Sequence, residues 1–204
     1  MKYKYYMLNK PAGCITAKRD SRHKVVMEYM EDADGDNLNP VGRLDKDTEG
    51  LLFVTNDGKW NQLLMSPQNH VKKKYYFVGM GKLDSEKINR LKSGVILKGE
   101  SVPCKAIDVE VTDNKVLADV LHIFNGKRTS RLYKNKDTHP VVMGNIIITE
   151  GRKHQVKRML KAAGCYVIYL KRTEIGNVKL DDTLCPGGYR ELTSDEVNSF
   201  YSHD

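Results

Sequence analysis

The chain has 204 residues, 29% of them charged, and its 34 Lys and Arg outnumber 26 Asp and Glu to give a net charge of +8. This length suits one large domain or two small subdomains, and no apolar stretch approaches the roughly 18 residues of a membrane helix. The N-terminus, MKYKYYMLNKPAG, is too polar for a secretory signal, and the four scattered cysteines include no CxxC pair. Composition therefore argues against a membrane protein, a disulfide scaffold and a zinc protein, and we expect a reduced, cytoplasmic protein.

The positive charge favours a polyanionic partner, most simply nucleic acid. An ordinary basic protein could carry the same total, so the distribution of the charge is more informative. The basic residues form three clusters: Lys72–Lys74; Lys127, Arg128, Arg131, Lys134 and Lys136; and Arg152, Lys153, Lys157, Arg158 and Lys161. Each cluster lies next to a segment with a strand or helix pattern, so the positive charge is not gathered in one disordered basic tail.

The predicted elements combine strands rich in Tyr, Val and Ile with fewer helices. In chain order they are strands at 4–8 and 51–55, the turn signal Asp57-Gly58, a helix at 60–64 ending before Pro67, a strand at 74–79, a helix at 84–93, strands at 106–111 and 116–124, the hairpin signal Asn125-Gly126, a strand at 145–149, a helix at 154–163, a strand at 166–171 and a final helix. The final helix is recognised by the capping box of Thr193 and Glu196. Because strands outnumber helices and do not alternate strictly with them, we predict an α+β fold around a mixed, mostly antiparallel sheet.

The stretch GRLDKDTEGLLFVTNDG (42–58) raises the question of a metal site. The segment that starts at Asp45 imitates the beginning of a calcium-binding EF-hand loop, which would require a bidentate Glu at its twelfth position. That position is Asn56, and the strand-like run Leu51–Val54 occupies residues that should still be turning. A charged turn before a buried strand is therefore the better interpretation, with Asp47 and Glu49 as solvent-facing charges.

The segment His154–Ala163 has the clearest helical pattern in the chain. Its apolar residues recur at spacings of 0, 3, 4 and 7 and form one stripe: Val156, Met159, Leu160 and Ala163. On a helical wheel Lys157 lies beside this stripe, at the rim of the packed face. Arg158 and Lys161 point further outward and are predicted to be solvated or to face phosphates.

Four stretches taken together resemble the ribosomal small-subunit (RsuA-type) pseudouridine synthases, a group that also contains large-subunit enzymes. They are MLNKPAGCIT (7–16), GRLDKDTEGLLFVTNDG (42–58), KYYFV (74–78) and ITEGRKHQVKRMLKAAG with YLKRTEIGNVKL (148–180). Their order and spacing agree with the family over nearly the whole chain. The resemblance implies the pseudouridine synthase fold, with flanking helices and a central catalytic cleft, and isomerisation of a uridine in ribosomal RNA without cofactor or metal.

The same resemblance implies roles for individual residues. Asp45 matches the catalytic aspartate, and Lys157 matches the basic residue that pairs with it. Tyr76 is implied to lie against the uracil and to handle the C5 proton, and Leu170 to pack under the base. Arg43 is expected to enter the RNA where the base was, or to hold its phosphates.

The remaining expectations concern recognition. We expect a monomer that does not associate with a membrane and that binds ribosomal RNA or a pre-ribosomal particle. The basic residues expected to contact RNA phosphates are Lys72, Lys73, Lys74, Lys127, Arg128, Arg131, Arg152, Lys153, Arg158 and Lys161. Residues 1–204 read as a catalytic domain, possibly two subdomains sharing one sheet, without the S4-like leader domain of many relatives. Either the catalytic domain recognises RNA alone or such a leader is missing from this sequence. The stretch 121–140 is equally compatible with an RNA contact and with a surface insertion.

Other functions remain as alternatives. The small-subunit target is favoured over the large-subunit target. A non-catalytic RNA-binding or ribosome-assembly protein would keep the basic clusters but would not need the set of Asp45, Tyr76 and Lys157. An N-glycosidase would need a second acid–base carboxylate, for which Asp47 is the only nearby candidate. DNA binding is disfavoured because no helix-turn-helix or zinc signature is present.

Overall fold

The structure is a computed structural model that describes residues 2–123 and 135–201. The chain divides into two compact units. We call Met1–Lys73 with Lys171–Asp204 the terminal unit and Lys74–Leu170 the central unit. Within the described ranges, no helix combines the length and apolar character needed to cross a membrane.

The regular elements are nine strands and four α-helices in the described part of the chain. In chain order they are β1 (Tyr5–Lys10), β2 (Asn39–Val41), β3 (Glu49–Thr55), α1 (Gly58–Met65), β4 (Lys73–Met80), α2 (Ser85–Ser93), β5 (Asp108–Val116), β6 (Pro140–Ile148), α3 (Gln155–Ala162), β7 (Tyr166–Ile175), β8 (Val178–Lys179), β9 (Tyr189–Glu191) and α4 (Ser194–Asn198). Short 3-10 helices lie at Val26–Tyr29, Pro67–Asn69 and Leu117–Ile123.

Strand β3 is the centre of the terminal unit. β1 pairs antiparallel with it along one side, from Tyr5 opposite Thr55 to Lys10 opposite Gly50, and β9 pairs antiparallel with β1. On the other side, β2 pairs antiparallel with β3, while the last part of β7 pairs with it in parallel. This combination confirms the prediction of a mixed, mostly antiparallel sheet.

An aromatic cluster forms the core of the terminal unit. Helix α1 begins after Asp57, whose side chain accepts hydrogen bonds from the main-chain N–H groups of Lys59 and Trp60 and so caps the helix. The fully buried Trp60 contacts Phe53 and Phe200 at ring-centroid distances of 5.4 and 5.5 Å. α4, opened by the predicted capping box, precedes Phe200 in the chain. Asp57, predicted as part of a turn signal, is thus the N-cap of α1, the helix that supplies Trp60 to this core.

The central unit is built on strands in the order β5-β6-β4-β7. β5 and β6 pair antiparallel from Asp108 opposite Ile147 to Val116 opposite Pro140, with an irregularity between Val111 and Asp113. The predicted apolar stripe of α3 is confirmed, since Val156, Met159, Leu160 and Ala163 are all buried.

The predicted strand at 116–124 is wrong. β5 ends at Val116, and Leu117–Ile123 form a 3-10 helix. Leu117 and Val120, three residues apart, share a face of this helix and are buried in a cluster with Val78 and Val141. The apolar run is thus buried with helical rather than strand periodicity. Phe124 and the hairpin signal Asn125-Gly126 lie outside the described residues.

Candidate active site

The connection between β2 and β3 carries Asp45, which is half-buried. Two hydrogen bonds join the hydroxyl of Thr16 to the main chain of Leu44: the hydroxyl donates to the carbonyl at 2.9 Å and accepts from the N–H at 3.1 Å. The N–H of Gly13 donates to the carbonyl of Lys46 at 2.7 Å. The residues on both sides of Asp45 are therefore fastened to the segment that follows β1.

A tight turn follows Asp45 directly. The N–H of Thr48 donates to the carbonyl of Asp45 at 3.1 Å, so Lys46 and Asp47 lie at the apex of the turn, and both are exposed. Asp47 is thus a solvent-facing charge, as predicted. Arg43, on the other side of Asp45, is also exposed.

A fully buried lysine supports this turn. The ammonium of Lys10 donates to the carbonyl of Thr48 at 2.8 Å and to that of Pro11 at 3.0 Å. Burial lowers the pKa of Lys10, and neighbouring acidic groups, including Asp45, oppose that effect. Lys10 therefore fixes the main chain beyond Asp45 and places a cationic group among the acidic side chains of the turn.

Sequence reasoning assigned no role to Lys10. The available signal was a lysine directly before Pro11, two residues after the apolar run Tyr5–Leu8 of the first strand. Both of its hydrogen-bond acceptors are main-chain carbonyls, and because every residue has one, the sequence does not indicate which carbonyls Lys10 binds.

The start of β3 leaves no room for a side chain at residue 50. Gly50 has φ of +100°, and a Cβ there would lie 2.2 Å from the carbonyl oxygen of Arg172, its partner in β7. The buried Arg172 donates from Nε to the carbonyl of Leu51 at 2.8 Å. Close backbone packing thus fixes the strand that begins right after the Asp45 turn.

In the central unit, β4 presents Tyr76 and Tyr75 on opposite faces, as the alternation predicts. Tyr75 is buried, whereas Tyr76 is half-buried and packs edge-on against Tyr169, with ring centroids 6.2 Å apart. Burial raises the pKa of Tyr76, and the charge of Lys115 partly opposes this. The Tyr76 hydroxyl therefore keeps its proton at neutral pH and can donate a hydrogen bond.

Helix α3 carries Lys157, which is half-buried at the rim of the apolar stripe, as predicted. The start of the helix is held by the buried Gln155, whose Oε1 accepts from the N–H of Arg152 and whose Nε2 donates to Glu150, each at 2.8 Å. Leu170 on β7 is buried. The central unit thus contains three of the five residues that the resemblance implies for chemistry or base contact.

The predicted phosphate contacts lie in different environments. Lys72, Lys153 and Lys161 are exposed, and Lys74 is half-buried. Arg152 and Arg158 are half-buried and both form ion pairs with Glu100. Lys127, Arg128 and Arg131 lie outside the described residues. For all of these the assignment to RNA phosphates stays a prediction.

Lys73 corrects the expectation for its cluster. It is only 8% exposed, and its ammonium donates to the carbonyl of Val71 at 2.9 Å. Burial, helped by the charge of Arg172, lowers the pKa of Lys73 to about 8. Strand alternation turns this lysine to the same face as the buried Tyr75, so its ammonium does not face solvent and we remove it from the proposed phosphate contacts.

No group of three or more His, Cys, Asp and Glu is arranged to hold a metal ion among residues 2–123 and 135–201. The acidic residues around Asp45 are therefore not gathered into a metal-binding cluster within those ranges.

Comparison with known proteins identifies the class of enzyme. A family model described as RNA pseudouridylate synthase matches residues 4–162. The chain belongs to this family and is an enzyme that acts on RNA.

Individual relatives agree with this assignment. The chain is 38% identical over 198 residues to an "uncharacterized RNA pseudouridine synthase" of Bacillus subtilis, covering 95% of this chain and 72% of that protein. It is 33% identical over 197 residues to the "ribosomal small subunit pseudouridine synthase A" of Escherichia coli, covering 96% and 73%. A solved structure titled as a pseudouridylate synthase superposes with a TM-score of 0.79 at 32% identity, covering 98% of this chain and 74% of that one. The fold of the present chain is thus the pseudouridine synthase fold.

Proposed function

We propose that this enzyme isomerises a specific uridine of small-subunit ribosomal RNA to pseudouridine, with Asp45 as its essential carboxylate. The observation that carries the proposal is the braced turn: Asp45 is half-buried, and the main chain on both sides of it is hydrogen-bonded to Thr16, Gly13 and Lys10. Such bracing presents one carboxylate in a defined position, which is what a single-carboxylate reaction needs. The same reaction on large-subunit ribosomal RNA is the alternative.

The reaction is balanced without an external reactant. The C1′–N1 bond breaks, the uracil rotates, and C5 bonds to C1′, while the proton leaving C5 is matched by the proton gained at N1. Asp45 serves as the nucleophile or the base that opens this sequence. Because Asp45 is half-buried, we propose that the target nucleotide leaves its stack to reach the carboxylate.

Lys10 supports the charge of the turn. Because its ammonium is fully buried and bound to two carbonyls, it cannot move away from the acidic side chains around it. Asp45 is among the acidic groups whose charge acts on this ammonium, so we propose that Lys10 keeps a positive charge near the Asp45 carboxylate when RNA covers the turn. Lys10 therefore acts through Asp45 rather than on the substrate.

Residues of the central unit are proposed to contact the extruded uridine. Tyr76 offers a half-exposed ring and a protonated hydroxyl, which suits stacking on uracil and proton handling at C5. Leu170 is proposed to pack under the base, and Arg43, exposed beside Asp45, to hold the RNA. The pairing of Lys157 with Asp45, implied by the family resemblance, stays a prediction.

The target is proposed from the relatives. The protein from Escherichia coli and several others of similar identity are named ribosomal small subunit pseudouridine synthase A. We therefore propose ribosomal RNA, free or in a pre-ribosomal particle, as the partner in the cytoplasm.

The test is to incubate the purified enzyme separately with small-subunit and large-subunit ribosomal RNA and to map pseudouridines in both. One or a few new sites in small-subunit RNA are expected, and the fraction of RNA converted at each site should rise with enzyme concentration. Sites confined to large-subunit RNA would favour the alternative target. The incubation is repeated with pre-ribosomal particles, and if neither the free RNAs nor these particles gained pseudouridine, the proposed substrate would be wrong.

A further inference from the structure

A short surface loop in the central unit is closed at its base. Val95 and Cys104 pair through two main-chain hydrogen bonds of 2.9 and 3.0 Å, and Leu97 and Cys104 are buried. Between these anchors runs the segment 98–103, which we call the Glu100 loop. Most of it is exposed, and Val102 retains 60% of its accessible surface. The loop is therefore an excursion with fixed ends and a solvated tip.

Two arginines converge on the carboxylate at the tip of this loop. Nη1 of Arg152 donates to Oε2 of Glu100 at 2.6 Å, and Nη1 of Arg158 donates to Oε1. Each of the three side chains keeps about a quarter of its surface exposed. The hydrogen bonds from Arg152 and then Arg158 lower the pKa of Glu100, so it is an anion at neutral pH. Two guanidinium groups on one anion are a typical arrangement for binding phosphate.

The surroundings of this ion pair are positive. Three lysines nearby are exposed: Lys98 lies on the Glu100 loop, Lys153 precedes α3, and Lys161 lies on α3. Glu150 is the other acidic partner of Arg152, accepting from its Nε at 2.9 Å. Two carboxylates among two arginines and three lysines leave an excess of positive charge, which attracts a polyanion to this surface.

We propose that Arg152 and Arg158 form a binding site for an RNA backbone phosphate and that Glu100 occupies this site in the absence of RNA. RNA binding then exchanges one anion for another, and the Glu100 loop swings away from α3. This inference rests on the proposed function in one respect, namely that the phosphate belongs to RNA.

The exchange has a definite cost in hydrogen bonds. Arg152 also donates to the carbonyls of Val102 and Pro103 at 2.6 and 3.1 Å, and Arg158 donates to that of Lys98 at 2.8 Å. At a partly exposed surface, water can replace these three carbonyls at little net loss. Because the departing carboxylate is replaced by a phosphodiester of the same charge, the arginines are not left unpaired.

The test compares two variants with the same change of charge. Glu100→Gln removes the competing anion, and Glu86→Gln removes an exposed charge from the first turn of α2, outside the ion pairs that Arg152 and Arg158 form with Glu100 and Glu150. Affinity for a fluorescent single-stranded oligouridylate is measured as a function of salt. Glu100→Gln is expected to bind roughly tenfold tighter than Glu86→Gln, because weakening the competing charge-assisted hydrogen bonds by about 1.4 kcal/mol raises affinity tenfold. In the background of Arg158→Gln, the substitution Glu100→Gln should no longer raise RNA affinity, because Glu100 and the phosphate then no longer compete for the Arg158 guanidinium.

A second measurement uses the unaltered enzyme and so does not depend on a variant folding. Hydrogen exchange at 98–103 should become faster when RNA binds. If exchange slows or stays constant, or if Glu100→Gln binds no tighter than Glu86→Gln, the carboxylate only fastens the loop and the proposal is overturned. Both measurements report binding rather than turnover, so failure to form pseudouridine would count against the proposed function and not against this site.

Discussion

Replacing Lys73 by methionine should change the pH dependence of stability. Lys73 lies at the start of β4 with 8% of its surface exposed, its ammonium donates to the carbonyl of Val71, and its pKa is lowered from 10.5 to about 8. Methionine has a similar length and no charge, so Lys73→Met removes the buried ammonium without opening a large cavity.

The sign follows from proton binding in the two states. Below pH 8 the folded and unfolded chains both hold the lysine proton, so the cost of burying the charge is constant. Between pH 8 and 10.5 the unfolded chain binds more protons, and the contribution of Lys73 to the free energy of unfolding rises with pH. The slope is about 1.4 kcal/mol per pH unit and smaller near each pKa, where titration is incomplete, so the rise between pH 7 and pH 10.5 is about 3 kcal/mol.

Urea unfolding at a series of pH values measures this effect as the stability of Lys73→Met minus that of the unaltered enzyme. The difference should favour the variant most at pH 7 and fall by up to about 3 kcal/mol by pH 10.5. Lys72→Met, at the exposed neighbouring position, is the matched control and should show no such fall. A difference for Lys73→Met that stays constant with pH would refute the assignment of a buried, charged lysine.

Three further substitutions test the architecture and the chemistry. Gly50→Ala should lower the free energy of unfolding by more than about 2 kcal/mol in urea titrations, since its Cβ would collide with the carbonyl of Arg172; a neutral result would contradict the packing at β3. Thr16→Val removes the hydroxyl that braces the Asp45 turn and should cost about 1 kcal/mol of stability and slow single-turnover isomerisation, whereas unchanged turnover would make the brace irrelevant. Tyr76→Phe should bind RNA as before and isomerise it much more slowly; an unchanged single-turnover rate would confine this residue to packing.

Local sequence patterns were sufficient to predict the secondary structure elements in which buried residues recur at regular spacing. The apolar stripe of α3 and the capping box before α4 both describe interactions within one helical turn or two, and both predictions are confirmed. The run after β5 is the opposite case. Val116–Ile123 consists of residues compatible with strand or helix, and its conformation is decided by packing against Val78 and Val141, which are distant in the chain. The three-residue strands β2 and β9 are too short to leave a pattern.

The candidate site was predictable only in part for a related reason. Asp45 was reached through the resemblance of its surrounding stretch to a known family. The groups that hold it, Lys10 and the hydroxyl of Thr16, act on main-chain atoms 38 and 28 residues away, and such contacts have no signature in side-chain order. Lys73 did carry a usable signal, since strand alternation places it on the face of the buried Tyr75 rather than that of Tyr76.

The central claim, that Asp45 performs the chemistry, is tested most directly by comparing Asp45→Asn with Asp47→Asn. Both changes remove one negative charge from the same turn, but Asp47 is exposed at its apex. Single-turnover release of tritium from C5 of uridine in small-subunit ribosomal RNA is measured for each variant, together with RNA affinity. We predict that Asp45→Asn abolishes release while affinity is nearly unchanged, and that Asp47→Asn stays close to the unaltered enzyme. Retention of more than a few per cent of the rate by Asp45→Asn, or an equal loss in both variants, would contradict the assignment.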